Sequence, residues 1–130
     1  MTEFRYDHVH LRSPDPEATA AWYKKMFGAE VVHAVMSNGL ERTDIKLGGV
    51  NHFIAKVPDD AALSEKADGS FVGLDHIGLR VTNIDAVCKE LKGKGAEFTV
   101  EPKTIRPGVR IAFVLGPQNV LIEILDRDVA

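Results

Sequence analysis

Polar and apolar residues alternate through "YDHVHLR", residues 6–12, placing Val9 and Leu11 on one side and His8, His10 and Arg12 on the other. That period of two predicts a strand. The pattern changes in "SPDPEATAAWYKKMFG", residues 13–28, where Ser13 or Asp15 can cap a helix, Pro16 falls near its first turn and Gly28 ends it. Ala18, Ala21, Trp22 and Met26 recur at helical spacing and are expected to form the buried stripe, with Trp22 in the core and Tyr23 at its boundary. After the helix, "EVVHAVMS", "ERTDIKLG" and "NHFIAKV" read as strands separated by turns at "NG" and "GV". The first half of the chain is therefore a βαβββ module.

The second half repeats it. "DHIGLR", residues 75–80, matches "DHVHLR", residues 7–12, and Gly28-Ala29-Glu30 after the first helix returns as Gly95-Ala96-Glu97. The elements follow in the same order: a strand over 75–81, a helix over 84–94, and strands over 97–101, 109–115 and 120–125, the last two joined by "GPQN". Two copies are too few for a solenoid. The expected fold is α+β: module one over about 6–57, a linker over 58–73 containing the Asp-, Ala- and Ser-rich "PDDAALSEKADGS", and module two over about 74–126. Each module is expected as a curved, mixed four-stranded sheet with one helix. The aliphatic face of each first strand must pack on that helix. The histidine faces then line a cleft that the two sheets enclose together.

Composition narrows the setting. Apolar residues make up 45% of the 130, enough for a packed interior, and the net charge of −3 gives no electrostatic reason to expect nucleic acid. The only cysteine, Cys88, has no partner for an internal disulfide, which suits a reducing compartment. In the second helix it reads most simply as a small buried side chain. The amino terminus is too polar for a signal peptide, and no run approaches the roughly 20 apolar residues of a membrane span. The expectation is a soluble cytoplasmic domain.

The last strand, "VLIEILD", places Glu123 among aliphatic residues. An unpaired carboxylate buried there would cost several kcal/mol, so it needs a cation. His8 and His76, from equivalent strands, complete a two-histidine, one-carboxylate set of the kind that holds a divalent metal with open coordination positions. The alternative is that both histidines are hydrogen-bonded core residues and that Glu123 pairs with an arginine. The duplication and the buried glutamate favour the metal.

With the paired βαβββ modules, the "DH" opening both first strands, the "GAE" after each helix and "IEILD" at the end, the chain resembles the vicinal oxygen chelate superfamily from Tyr6 to Asp126. That group includes glyoxalase I, extradiol dioxygenases, fosfomycin-resistance proteins, methylmalonyl-CoA epimerase and bleomycin-resistance proteins. The resemblance implies one divalent metal (Fe, Mn, Ni, Co or Zn) held by His8, His76 and Glu123. It also implies a small substrate chelated through adjacent oxygens, with an enolate or oxyanion stabilised by the metal as Lewis acid. Some members take a fourth ligand from the last strand of module one. Counting from the preceding turn puts Phe53 at that place, where it would line the pocket as an apolar wall. The neighbouring His52 would turn toward the helix unless the register shifts.

Other polar residues complete the expected site. His10 points into the cleft and can serve in proton transfer or as a hydrogen-bonding neighbour. Arg12 shares that face, and Arg106 and Arg110 flank the flexible "RPG"; an anionic substrate group could use any of them. Of these, Arg12 and Arg110, with Phe53, are the expected substrate contacts. His33 alternates with Val31 and Val35 and is expected to be structural. The expectation is therefore a metal-dependent lyase or isomerase, with Glu123 and His10 as its catalytic carboxylate and imidazole. The alternatives are an Fe(II) dioxygenase of the extradiol type and a metal-free small-molecule binder of the bleomycin-resistance kind. A homodimer is expected, with no membrane partner. The missing carboxylate at Phe53 also sets the chain apart from four-ligand, glutathione-dependent glyoxalase I.

Overall fold

The computed structural model describes residues 2–63 and 72–127; the expected linker lies in part outside the described residues. The chain divides into two compact units, Met1–Ala62 and Leu63–Ala130.

Unit one contains β1 (His8–Ser13), α1 (Pro16–Phe27), β2 (Glu30–Val35), β3 (Glu41–Leu47) and β4 (Val50–Lys56). Its sheet runs β1-β4-β3-β2. β1 is parallel to β4, and the other two pairings are antiparallel. The parallel pairing follows from the helix, which carries the chain back across the sheet before β2. α1 starts where expected: Asp15 accepts a hydrogen bond from the Ala18 amide at 3.1 Å and Pro16 fills the first helical position. Gly28 ends it at φ +70°, the left-handed conformation that favours glycine.

The buried stripe differs from the sequence reading. Thr19, Ala20, Tyr23 and Met26 are buried, whereas Ala18 and Ala21 are exposed and Trp22 is half-buried. The stripe is turned by one residue. Thr19 satisfies its hydroxyl by a 2.7 Å bond with Ser13, which is itself fully buried, so a polar residue occupies a core position. Trp22 instead packs edge-on against Tyr23 and Phe27 at the rim of the helix. Burial raises the Tyr23 hydroxyl well above its ordinary pKa.

The β2–β3 connection is also longer than "NG" alone. Gly39 donates to the Met36 carbonyl, and the Met36 amide to that of Leu40, closing a loop over Ser37, Asn38 and Gly39. This is a three-residue hairpin with glycine in the left-handed position, here φ +82°. Gly48 and Gly49 make the tight β3–β4 turn.

Unit two repeats the plan with β5 (Ile77–Arg80), α2 (Ile84–Gly93), β6 (Glu97–Arg106), β7 (Val109–Leu115) and β8 (Leu121–Asp126), in the order β5-β8-β7-β6. A short 3₁₀ turn over Pro117–Asn119 joins β7 to β8. Ile84, Cys88 and Leu91 are the buried residues of α2, and they share the core with Ala112, Val114, Ile122 and Ile124. Asp126 accepts a hydrogen bond from the Ile84 amide at 3.3 Å, tying the helix start to the last strand.

β6 runs five residues past the expected end at 101. Three register shifts against β7 break its alternation, which hid the strand from a period-two reading. Pro102 is accommodated because β6 lies at the sheet edge. The "RPG" segment is the tight turn of this hairpin: Arg106 pairs with Val109, and Gly108 sits at φ +80°.

Candidate metal centre

In both units the sheet face away from the helix carries the candidate residues. His10 lies opposite Phe53 in the parallel β1–β4 register, and Gly78 lies opposite Glu123 in β5–β8. His10 and Gly78 hold the same place in the repeated "DHVHLR" and "DHIGLR", so Phe53 occupies the position in unit one that Glu123 occupies in unit two. His52, one residue away, turns to the opposite side. It is 3% exposed and pairs across the sheet with the fully buried Ile45. Burial lowers its pKa, and its Nδ1 lies 3.1 Å from the Val50 carbonyl oxygen.

In unit two, His76 immediately precedes β5, and its Nε2 lies 3.4 Å from Glu123 Oε1. Its Nδ1 is held by Asp75 Oδ2 at 2.7 Å. Glu123 is half-buried rather than enclosed, and the absence of a side chain at Gly78 leaves room beside it: a Cβ there would stand 3.7 Å from Glu123 Oε1. Phe113 lies opposite Glu123 on β7 and meets the His76 ring edge-on at 5.1 Å.

Unit one repeats the histidine geometry. His8 Nδ1 lies 2.7 Å from Asp7 Oδ2, the same bond at the same length as in the second copy. The His8 ring stacks on Phe53 with centroids 4.2 Å apart, and His10 approaches Phe53 edge-on at 6.3 Å. Arg12 is exposed on the same face.

These bonds have a chemical consequence. A carboxylate on Nδ1 fixes the ring and leaves Nε2 as the outward nitrogen, the usual arrangement behind a metal-binding imidazole. Each imidazole, in its own unit, is therefore oriented as a divalent-ion ligand would be, and in unit two the Glu123 carboxylate lies beside it. Within neither unit, among the described residues, do three His, Cys, Asp or Glu side chains gather as a metal-holding group.

Other expected contacts fall elsewhere. Arg110 is not on the Glu123 face. It alternates with Ala112 and Val114 toward α2, donating to Asp85 at 2.7 Å and to Thr104 at 3.0 Å. The hairpin turn at Pro107-Gly108 sets that parity. Arg106 is exposed at the start of the same turn. His33 is exposed rather than packed, and lies 2.7 Å from Glu17 on α1, whose carboxylate also accepts from Thr43. These two bonds, that to Thr43 first, hold Glu17 below its ordinary pKa. A hollow of about 710 Å³ lies in unit one among Pro14, Glu17, Leu40, Thr43, Lys56 and Asp59, and none of the expected site residues lines it.

Sequence reading gave no role to Asp7 and Asp75, although the repeated "DH" carried the signal. It also passed over Arg42 and Asp44. The guanidinium of Arg42 donates to Asp44 through Nε at 2.6 Å and Nη2 at 3.0 Å, and lies 3.8 Å from the centre of the Phe53 ring. Asp44, bound first by that hydrogen-bond pair, raises the Arg42 pKa further. An arginine and an aspartate two apart on a strand look in sequence like any solvated pair.

Comparison with known proteins agrees with this architecture. The family model described as Glyoxalase/Bleomycin resistance protein/Dioxygenase superfamily matches residues 5–124. Human mitochondrial methylmalonyl-CoA epimerase is 30% identical over 129 residues, covering 92% of this chain and 72% of that protein. Lactoylglutathione lyase of Schizosaccharomyces pombe is 24% identical over 98% of this chain, which spans only 46% of that protein. Among solved structures, the fosfomycin resistance protein FosX from Listeria monocytogenes, as a variant complexed with Mn(II) and dihydroxypropylphosphonic acid, superposes with a TM-score of 0.71. It shares 19% identity, covering 95% of this chain and 92% of that one.

Proposed function

Because the chain belongs to the glyoxalase, bleomycin resistance protein and dioxygenase superfamily, we propose that it is a divalent-metal-dependent enzyme acting on a small substrate with adjacent oxygens, by lyase or isomerase chemistry. His8, His76 and Glu123 are the ligands in this reading. The observation that carries it is the twin Asp–His pair: Asp7 on His8 and Asp75 on His76, each at 2.7 Å, with Glu123 3.4 Å from His76. A sequestering protein has no need of two imidazoles oriented in this way. Names among the relatives, a lyase and an epimerase, support proton-transfer chemistry, and the Mn(II) in the FosX structure supports the class of ion.

When bound, the metal would supply Lewis acidity toward the substrate's paired oxygens. The residues of the chain do the rest. Asp7 and Asp75 hold the imidazoles in one orientation. Phe53 presents an apolar wall beside His8. His10, edge-on to that wall, would exchange a proton with the substrate in this reading. By resemblance to glutathione-dependent glyoxalase I, a proton-shuttling carboxylate would stand where Phe53 is, so in this reading proton transfer falls to His10 instead.

Metal analysis of purified protein tests the reading. The expected result is one divalent ion per site, lost on His76→Ala and on Glu123→Ala, with overall fold retained by circular dichroism. Full stoichiometry in His8→Ala, His76→Ala and Glu123→Ala alike would show the site to be wrongly placed. Ligand binding by protein that takes up no metal would favour the binder reading.

A further inference from the structure

Arg42 and Asp44 lie on β3, on the face that carries His8, His10 and Phe53, because Asp44 pairs directly with Phe53 across the sheet. This face is not the core of unit one, yet Asp44 is only 8% exposed. A largely buried ion pair adds little stability over apolar residues of the same size. Packing alone therefore gives no reason to keep it.

The geometry gives one. Asp44 engages Nε and one hydrogen of Nη2, while a guanidinium carries five N–H donors. The remaining three, on the far edge, include the fork that takes a carboxylate or phosphoryl group through two parallel bonds. Phe53 is sandwiched: Arg42 stands 3.8 Å from its ring centre, and the His8 ring centroid 4.2 Å from it. One phenyl ring thus separates an oriented cation from a candidate metal ligand. Arg12 and Lys46 share this face; besides Asp44 its carboxylates are Glu30, at the end of β2, and Asp7, which is taken up by His8 Nδ1 at 2.7 Å. Arg42 also borders the 710 Å³ hollow, but the charged groups there are mostly acidic: Asp15, Glu17, Glu41 and Asp59 against Lys56. On the His8 side Asp44 and Asp7 are each already engaged by a cation or imidazole, so an anion meets less repulsion there than in the hollow.

We propose that Arg42, positioned by Asp44 and stacked on Phe53, is the anion-recognition residue of the site, and that the substrate carries a carboxylate or phosphoryl group. The inference deepens the proposed metal site and rests on it for where the substrate lies. Anion recognition itself belongs to unit one and is testable without metal. Asp44 is a positioning residue.

The test uses the full-length protein, stripped of metal, titrated separately with inorganic phosphate and with acetate while the NMR signals of the Phe53 and His8 rings are followed. Saturable binding of at least one probe, with shifts at both rings, is expected, and the tighter probe names the anion class. Arg42→Ala should weaken it by at least about tenfold, and Arg42→Lys by less, since charge remains but the fork is lost. Asp44→Asn should also weaken binding, and Asp44→Glu should restore part of it, which a merely structural carboxylate would not do. If Arg42→Ala fails to fold because Asp44 is left unpaired, the double variant Arg42→Leu, Asp44→Leu removes the pair without stranding a charge, and should fold without binding either anion. No saturable binding by the native protein, or native affinity in a folded variant lacking Arg42, overturns the proposal. His76→Ala should lose metal but keep phosphate or acetate binding, so failure of the metal centre and failure of the anion site read out separately.

Discussion

His52 and Phe53 are neighbours with opposite fates, and the pleat decides which is which. Phe53 shares a face with His8; His52 is driven into the core beside Ile45 and Ile54. Burial favours its neutral form and lowers its pKa from the ordinary 6.5. The sign of the linkage follows. Near and below pH 6.5 the unfolded chain binds a proton that the folded core resists, so stability is complete above that pH and declines as pH falls toward the depressed folded value. The thermal midpoint should therefore drop between pH 7 and pH 5, and His52→Leu should drop less over the same interval. Equal drops in the two proteins would show that His52 is not an acid-sensitive group. The parity of His52 was legible from alternation alone. The guanidinium over Phe53 was not, because nothing in "ERTDIKL" says which residue of the next strand lies alongside.

At the level of elements, local signals placed most boundaries and missed where several packings satisfy the same spacing. Asp15, Pro16 and Gly28 bracket α1 as their chemistry dictates. Replacing Asp15 by Ala leaves the Ala18 amide without its acceptor and should cost about 1 kcal/mol of stability, measurable by urea denaturation. A cost near zero would mean that the neighbouring Ser13 hydroxyl, which already accepts from the Asp15 amide, takes over the cap. The buried stripe was harder. Alanines carry little orienting information, and two stripes offset by one residue both meet the helical period. The packed one includes Thr19 because Ser13 offers its hydroxyl a partner, a fact of tertiary contact. β6 escaped for the converse reason: its bulges destroyed the alternation by which a strand is recognised.

At the scale of the whole molecule, about 60 residues per module is marginal for an independent core. Apolar side chains also stand in solvent on the single chain: Phe4 and Tyr6 are 92% and 91% exposed, and Leu74 is 80% exposed. Such surface is commonly covered by association. The protein is expected to be a homodimer, and sedimentation at roughly tens of micromolar, far above the Kd of most specific complexes, checks it. A pure monomer at that concentration would leave these side chains to another partner. Among the described residues, no helix is long and apolar enough to cross a membrane.

The sequence by itself determined the duplication, the βαβββ order, the two sheet faces and the equivalence of Phe53 with Glu123. Each is a matter of period and register, and both repeat along the chain. Tertiary structure alone decided which polar groups meet. It turned Arg110 toward α2 and Asp85, and laid Arg42 across Phe53 under the hold of Asp44. Those contacts depend on rotamers and on which strands become neighbours. Alternation gives the face of a side chain, whereas its partner is set only when the sheet closes around it.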